Sequence, residues 1–326
     1  MKRNILVVGG SYFIGRMFVQ QLAGMDGYSV HVLNRGRIPL HIPGVTEYAC
    51  NRRELNALKK TLPKLIYDTV IDFCARYPID IKALLENLPG RIRQYILISS
   101  CSVYETSNDY PKTEDSPMLS AQGPGLVGEY AFNKRLLEAE AKDICNEKNI
   151  PLTILRPTLA YGPYNYCPGE SYFFDLLLSG QSLSMPENSL SLFQLVYVRD
   201  IVQILIKCMG RPEVFDNEYI LAAPEFISYT KLANVLAGLT DRELETEFMS
   251  PEEIEEKEIP LPFPLKRHEL YSGEKIARTL GFTYTPFASG MREAFSFYKK
   301  NLISVRKHFE KINEGYNMDI SRLKIY

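Results

Sequence analysis

The sequence predicts an α/β fold with a doubly wound parallel sheet and a smaller, mixed C-terminal lobe. Three observations indicate it. An apolar run at residues 5–8 leads through a glycine-rich turn into a helix-period pattern. Runs rich in β-branched residues then alternate with helical patterns as far as residue 163, as in βαβ units. The chain has 326 residues, 45% of them hydrophobic, which is enough for one large domain and a second lobe.

The first strand and the turn after it form a candidate phosphate site. The turn reads Gly9-Gly10-Ser11-Tyr12-Phe13-Ile14-Gly15, and apolar residues at helical spacing follow it. Glycines permit a tight turn and a close approach of the backbone to a ligand, and the N-terminus of the next helix attracts a pyrophosphate. Tyr12 stands where a GxxGxxG pattern has its middle glycine. Either the backbone at Tyr12 is ordinary enough to carry a side chain, or the loop approaches the phosphates differently.

The second strand, predicted at residues 28–33, runs into Asn34 and Arg35. An acidic residue here would accept hydrogen bonds from the ribose hydroxyls of NAD. A neutral Asn34 beside the guanidinium of Arg35 instead suits the 2′-phosphate of NADP. We therefore expect a modest preference for NADP over NAD, with a solvated loop charge as the other interpretation of Arg35.

The rest of the chain continues the alternation and then leaves it. Further strands are predicted at residues 46–50, 68–75, 94–100 and 151–157, with helices opening at 51 and spanning 79–88, and a turn-rich surface loop over 105–129. After residue 163 the alternation stops, and it returns briefly with a helix over 201–209 and a strand at 219–221. A last helix is expected from 291 to about 302. We divide the chain into a first domain, 1–163 with 196–223, and a lobe and tail made of 164–195 and 224–326.

Tyr130 and Lys134 are the candidate chemical pair. They are four residues apart in a run of good helix formers, so they lie on one face of a helix. A neighbouring ammonium favours the phenolate and lowers the pKa of a tyrosine, which can then exchange a proton with a substrate oxygen near neutral pH. The alternative is a chance pair on an ordinary amphipathic helix.

Ser100 ends the fifth predicted strand. Ligands of a doubly wound sheet lie beyond the carboxyl ends of its strands, so this hydroxyl is well placed to hold a carbonyl oxygen. A serine-rich turn that satisfies its own backbone is the other interpretation.

Composition excludes several classes of function. The net charge of −1 gives no general attraction to nucleic acid or to an anionic membrane, and no apolar run approaches the ~20 residues that span a bilayer. The six cysteines are scattered without a CxxC pattern, and the four histidines lack the spacing of metal ligands. We expect a cytoplasmic protein with reduced thiols, no metal site, and no nucleic-acid or membrane partner.

Taken together, these motifs resemble the extended short-chain dehydrogenase/reductase family, also called NAD-dependent epimerase/dehydratases. The later matches along the chain are Leu155-Arg156-Pro157, Tyr161-Gly162-Pro163 and Val198-Arg199-Asp200. The resemblance implies a Rossmann domain that holds NAD or NADP and a C-terminal lobe that holds substrate. It assigns Tyr130 as the acid/base, Ser100 as the group that orients the substrate oxygen, and Lys134 as the ribose contact that lowers the tyrosine pKa.

The same resemblance suggests the cofactor contacts and the reaction. Cys101-Ser102 stand where the family's dehydratases often carry an Asp-Glu pair, which favours epimerisation or simple carbonyl/alcohol redox over dehydration. We expect a nucleotide sugar as substrate, with Tyr172, Phe173 and Gln194 shaping its choice unless they only pack the core. The residues expected to contact the cofactor are Gly9, Gly10, Ser11, Tyr12, Phe13, Ile14, Gly15, Asn34, Arg35, Asn51, Cys74, Ala75, Lys134 and Pro157.

Two further expectations follow from the resemblance. The chain also looks like an atypical branch that includes chloroplast stem-loop RNA-binding proteins. A redox-inactive, cofactor-binding scaffold for RNA or a protein partner is therefore the alternative function. Many members of the family dimerise through two helices, which here are the helix of Tyr130 and the helix at 79–88, so we expect a homodimer.

Overall fold

The computed structural model describes residues 2–165, 169–187, 191–240 and 245–316, with side chains described as far as residue 301. The strands are β1 (Arg3–Val8), β2 (Tyr28–Asn34), β3 (Val45–Ala49), β4 (Leu65–Tyr67), β5 (Thr69–Asp72), β6 (Gly90–Ile92), β7 (Tyr95–Ile98), β8 (Leu152–Pro157), β9 (Leu159–Tyr161), β10 (Leu183–Pro186), β11 (Leu195–Tyr197), β12 (Asn217–Leu221) and β13 (Thr246–Met249). The helices are α1 (Phe13–Ala23), α2 (Leu55–Thr61), α3 (Pro78–Asn87), α4 (Gly125–Glu147), α5 (Glu170–Ser179), α6 (Val198–Cys208), α7 (Tyr229–Ala237), α8 (Pro251–Glu256), α9 (Glu274–Leu280) and α10 (Phe287–Tyr316).

The centre of the fold is a seven-stranded sheet in the order β12-β8-β7-β5-β1-β2-β3. All of its neighbouring strands are parallel, so the predicted doubly wound sheet is confirmed. The chain moves outward from β1 to β2 and β3, crosses back, and continues outward from β5 on the other side. The order therefore reverses between β1 and β5, and a crevice for ligands opens at such a switch point.

Helices cover both faces of this sheet, and side chains of β1 alternate between them. Ile5 and Val7 join the core that contains α1 and α6, while Leu6 and Val8 join the core beside α3 and α4. A strand buried on both faces must be apolar along its whole length, which is why residues 5–8 read as a continuous apolar run.

The helix that carries Tyr130 begins earlier than the sequence suggested. The loop predicted over 105–129 ends at residue 124, because α4 starts at Gly125. A Cβ atom on Gly128 would stand 2.2 Å from the carbonyl carbon of Gly123, so this glycine permits a close contact inside the helix rather than a turn. The last helix is also longer than predicted, since α10 spans Phe287–Tyr316 with a non-helical Asn301 within it.

The chain after β8 combines helices with short strand pairs. β10 pairs with β13, and β9 pairs with β11, both in parallel. The strand β12 returns to the central sheet beside β8. That the lobe made of 164–195 and 224–326 holds substrate stays a prediction, and the tail at 317–326 and Cys167 lie outside the described residues. Within the described residues, no helix is both long and apolar enough to cross a lipid bilayer.

Candidate active site

The glycine turn after β1 has the geometry of a phosphate-binding turn. Gly9 has a φ of +87°, and a Cβ atom on Gly15 would stand 2.6 Å from the Gly9 carbonyl oxygen, so neither position accepts a side chain. Tyr12 is extended, with φ −133° and ψ 156°, which is an ordinary conformation for a residue with a side chain. The left-handed conformation falls instead on Phe13, at φ +36°.

The first turn of α1 fits a pyrophosphate. It contains no acidic residue, and the side chain of its N-cap residue, Tyr12, does not cap the helix. A helix N-terminus of this kind offers backbone donors and a favourable dipole to an anion. Ser11 is buried beside it, at 7% exposed. Residues 9–15 of the predicted cofactor set therefore lie together at the switch point.

A buried polar network closes the carboxyl end of β5. The Asp72 carboxylate accepts hydrogen bonds from Arg52 and from the Tyr95 hydroxyl, the latter at 3.0 Å. It also accepts the backbone N–H groups of Cys74 and Ala75, at 3.0 and 2.9 Å. Desolvation by burial opposes the charge of Arg52, but the contacts with Asp72 outweigh it and raise the guanidinium pKa. An ion pair this well hydrogen-bonded holds the crevice floor in one geometry.

Cys74 is the exposed member of this network. Its Sγ atom accepts a hydrogen bond from the Arg52 guanidinium at 2.6 Å. A Cβ atom added to Gly9 would stand 2.5 Å from the same Sγ atom. Cys74 therefore lies directly beside the glycine turn, and its contact with a cofactor stays a prediction. It is exposed, whereas Cys101, Cys145 and Cys208 are buried.

The other predicted cofactor residues are dispersed around this crevice. Asn51 follows β3, and its side-chain oxygen accepts the backbone N–H of Arg53 at 3.2 Å. Pro157 ends β8 in register with Leu221 of β12, on the opposite side of the switch point. Asn34 ends β2, and the exposed Arg35 follows it. Their contacts with a cofactor stay predictions.

Lys134 joins two neighbouring strands on the β5 side of the switch point. Its ammonium donates hydrogen bonds to the carbonyl oxygens of Ala75 at 3.0 Å and Ile98 at 2.9 Å. The side chain is buried, and the loss of hydration lowers its pKa to about 8, with Asp72 the main group that opposes the shift. Lys134 therefore connects the end of β5 to the end of β7.

Tyr130 lies one helical turn before Lys134, as the sequence predicted. The Lys134 Nζ atom is 5.9 Å from the centre of the tyrosine ring. Tyr130 is 36% exposed, in contrast to the buried lysine, so its ring borders solvent rather than the core. This arrangement gives an accessible phenol beside a buried cation.

Ser100 begins the 3₁₀ turn Cys101–Val103, two residues beyond Ile98. Its Oγ atom accepts hydrogen bonds from the Ser102 backbone N–H at 3.1 Å and from the Ser102 hydroxyl at 2.9 Å. The serine-rich turn thus satisfies its own backbone, as one of the two interpretations proposed. Because Ser100 accepts both bonds, its own hydroxyl proton can still be donated to a substrate oxygen.

A second buried network fixes the helix of Tyr130 to the turn of Ser100. Glu138, one turn after Lys134, accepts two hydrogen bonds from Arg156, at 3.0 and 2.7 Å. Arg156 also donates to the Tyr104 hydroxyl at 2.7 Å, immediately after the 3₁₀ turn. The sequence placed Arg156 in a family motif but did not pair it with Glu138.

The residues expected to shape substrate choice differ in their surroundings. Phe173 is fully buried and stacks on Phe263 at 5.9 Å, which agrees with the core-packing interpretation. Gln194 is buried as well, and its amide bonds the carbonyl of Ala223 and the N–H of Tyr271. Tyr172 is half-buried.

Residues 5–222 match the family described as the NAD dependent epimerase/dehydratase family. This chain belongs to that family. The predicted membership of the extended short-chain dehydrogenase/reductases is thereby confirmed, and with it the prediction of an enzyme of that type. The family match includes the glycine turn, the Ser100 turn and the Tyr130/Lys134 helix.

Several known proteins and solved structures resemble this chain. It is 26% identical over 299 residues to a chloroplast stem-loop binding protein of 41 kDa from Arabidopsis thaliana, covering 86% of this chain and 75% of that protein. Its fold is similar to an epimerase from Methanothermobacter thermautotrophicus, with a TM-score of 0.74, 18% identity and coverage of 94% and 95%. The UDP-glucuronic acid 4-epimerase from Bacillus cereus, solved with NAD, gives a TM-score of 0.71, 15% identity and coverage of 91% and 99%.

Proposed function

We propose that this protein is an NAD(P)-dependent enzyme that epimerises, or oxidises and reduces, a hydroxyl-bearing carbon. The observation that carries the proposal is the position of Lys134. Its buried ammonium bonds the ends of β5 and β7, next to Ser100 and one helical turn from Tyr130. The cation thus bonds the strand that leads into Ser100, with the phenol one helical turn away, on the β5 side of the point where the sheet order reverses, and the family match supports this assignment.

Each of these side chains has a distinct task. Tyr130 accepts the proton of the substrate hydroxyl as the carbon loses hydride, and it returns a proton to the oxygen when hydride comes back. Lys134 favours the phenolate form of Tyr130 by its charge. Ser100 donates a hydrogen bond to the same substrate oxygen and fixes its position. A nicotinamide cofactor, which residues of the glycine turn would help to hold, would supply the hydride acceptor and donor, so an epimerisation would consume no further oxidant.

We further propose a nucleotide sugar as the substrate class. The Bacillus cereus enzyme of similar fold is named for a UDP-sugar acid, which supports this choice. The turn after Ser100 supports epimerisation or redox over dehydration. The Cys101 thiol in it is buried and donates to the Arg156 carbonyl at 3.1 Å, so it offers no acid or base to a substrate.

The experiment is a screen of nucleotide sugars and simple ketones for isomerisation and for NAD(P)H consumption, repeated with Tyr130→Phe. The variant keeps the ring but lacks the hydroxyl, so turnover should fall by about 10²–10⁴-fold while dinucleotide affinity survives. Tyr28→Phe is the matched control, because the Tyr28 hydroxyl bonds Arg3 at the opposite, amino end of the sheet. Equal turnover in Tyr130→Phe and wild type would refute the assignment of Tyr130.

A redox-inactive scaffold for RNA is the second candidate. The Arabidopsis relative is named for stem-loop binding, and arginines lie in the segments that follow β3 and β5. The Arg53 and Arg76 guanidinium groups both lie against the Tyr77 ring, at 5.4 and 6.0 Å from its centre. A protein that is inert across the substrate panel but binds structured RNA with submicromolar affinity at physiological salt would establish the scaffold and displace the enzyme.

A further inference from the structure

A carboxylate from β3 fastens the turn that follows β2. Glu47 lies in β3, in register with Val32 of β2. Its carboxylate accepts the backbone N–H groups of Leu40 at 3.0 Å and His41 at 3.1 Å. It also accepts the side-chain amide N–H of Asn34 at 3.3 Å. Three donors of one turn therefore converge on a single anion.

The Asn34 amide is engaged at both ends. Its nitrogen donates to Glu47, and its oxygen accepts the backbone N–H of Gly36 at 2.8 Å. An aspartate at position 34 would place a second carboxylate about 3.3 Å from Glu47, where now an amide donates. Two carboxylates at such a distance repel each other strongly. Glu47 is thus compatible with an amide at this position and incompatible with the acid that would accept the ribose hydroxyls of NAD.

The shape of the turn is set before any ligand arrives. Gly36 has a φ of +74°, and His41 adopts a left-handed φ of +51° although it carries a side chain. Such conformations persist where their surroundings determine them, and here Glu47 holds the His41 N–H. The side chains of Ile38 and Leu40 are buried and anchor the middle of the turn. A site that is ordered in advance loses less conformational entropy on binding.

We propose that Glu47 determines cofactor choice. Because its carboxylate accepts the Asn34 amide, position 34 carries a neutral side chain and not an acid that would accept the ribose hydroxyls of NAD. The site therefore selects a dinucleotide with a 2′-phosphate. This rests on the proposed function, since it requires a dinucleotide in the crevice between β1 and β5. Glu47 acts through Asn34, so it is a positioning residue. Arg35 and Arg37, both exposed on either side of Gly36, supply the charge that a phosphate would meet.

The decisive experiment exchanges the two functional groups. The double variant Asn34→Asp/Glu47→Gln keeps the net charge. The amide introduced at position 47 can donate a hydrogen bond to the carboxylate introduced at position 34. The negative charge then lies at the end of β2. Calorimetric titration with NADP and with NAD gives the ratio of their dissociation constants. We expect wild type to bind NADP more tightly, and the double variant to shift the ratio toward NAD by about tenfold or more, because it gains a hydroxyl acceptor and a charge that repels the 2′-phosphate.

The single variants serve as internal checks. Asn34→Asp alone should weaken both dinucleotides and lower the melting temperature, and adding Glu47→Gln should restore the melting temperature, a non-additivity expected of groups in contact. Glu54→Gln, an exposed acid beyond β3, is the matched control and should leave the ratio unchanged. If the double variant does not fold, Glu47→Gln alone decides, with a several-fold loss of discrimination as the expected result.

The outcomes separate the two proposals. A folded double variant with the wild-type ratio, a wild type that prefers NAD, or a Glu47→Gln variant with undiminished discrimination would each overturn the role of Glu47. A wild type that binds neither dinucleotide would instead overturn the proposed function.

Discussion

At the scale of single residues, Lys134 makes the most direct connection between structure and chemistry. Its ammonium bonds two backbone carbonyls in a buried position, and its pKa is lowered to about 8 by the loss of hydration. The ammonium is therefore mostly protonated at neutral pH, and it loses its proton at a pH only slightly higher. A cation beside a phenol favours the ionised form of that phenol, which is the role proposed for Lys134 beside Tyr130.

Replacing this residue should affect both binding and turnover. Lys134→Met keeps the aliphatic volume but leaves the carbonyls of Ala75 and Ile98 without their donor, and it removes the charge that favours the Tyr130 phenolate. We expect calorimetry to show at least about tenfold weaker dinucleotide binding, and the assay to show lost turnover. Lys142→Met, on the same helix but exposed and paired with Glu218, is the control. Wild-type affinity in Lys134→Met would contradict the role of Lys134 as a cofactor contact.

The candidate site was predictable from sequence where its geometry is local. Tyr130 and Lys134 are one helical turn apart, so helix periodicity alone places them on one face. Arg52 and Asp72 are separated by 20 residues and belong to different sides of the switch point. Their pairing depends on the order of strands in space, which no local pattern encodes. The same limit hid the contact between Glu47 and Asn34.

At the scale of elements, helix α5 is anchored by a buried acid at its first residue. Glu170 accepts the backbone N–H of Gly162 at 2.7 Å and the side-chain amide of Asn165 at 2.8 Å. Burial nevertheless raises the pKa of this carboxyl to about 7. The helix N-terminus and two donors would favour the anion, so desolvation is the larger effect. In 164–195 the sequence indicated the end of the strand–helix alternation and three residues for substrate choice, but not Glu170, because burial of one glutamate leaves no periodic signal.

This shift makes a prediction about pH and stability. A carboxyl whose pKa is higher in the folded state than its usual 4.5 binds its proton more tightly when folded. Its contribution to stability is therefore largest at low pH and declines as pH rises from about 4.5 through about 7. Glu170→Gln removes this dependence. The melting temperature of the variant minus that of wild type should be higher at pH 8 than at pH 5.5. The corresponding difference in the free energy of unfolding is at most about 3 kcal/mol.

Scanning calorimetry at the two pH values measures the difference. Glu293→Gln is a suitable comparison, because Glu293 lies at the surface, with its side chain 57% exposed. An equal change in melting temperature at pH 5.5 and pH 8 for Glu170→Gln would show that the Glu170 carboxyl titrates normally in the folded protein.

At the scale of the whole molecule, the parallel sheet followed from the alternation of strands and helices, while the lobe did not. Each βαβ unit repeats the same local pattern, so the central sheet could be anticipated from a few recurring signals. The pair β10–β13 in the lobe and the pair β9–β11 at its boundary with the first domain join segments far apart in sequence, and their strands have three or four residues. Such short strands gain their order from packing, which the sequence alone does not reveal.

The outer surface of helix α4 bears on the predicted homodimer. Leu136 is 40% exposed, and Phe132, one turn earlier on the same face, is half-buried. Helix α3, which packs beside α4, carries Ile79 at 49% exposed. Large apolar side chains on two adjacent helices are typical of a helical interface between subunits. We therefore expect two copies of this chain to associate through α3 and α4.

A charge placed in this surface should separate the subunits. Leu136→Glu puts a carboxylate where an interface would bury it without a partner, at a cost of several kcal/mol per dimer because a two-fold interface contains the residue twice. Multi-angle light scattering at micromolar concentration should give a dimer for wild type and a monomer for the variant. Phe248→Glu is the matched control, because Phe248 is 59% exposed on β13 in the C-terminal part, and this variant should remain a dimer.

A wild-type monomer would refute the dimer itself, whereas a dimeric Leu136→Glu would move the interface to another surface. Since Tyr130 lies on the same helix, a dimer through α4 would also hold the two Tyr130–Lys134 pairs in fixed relation to each other.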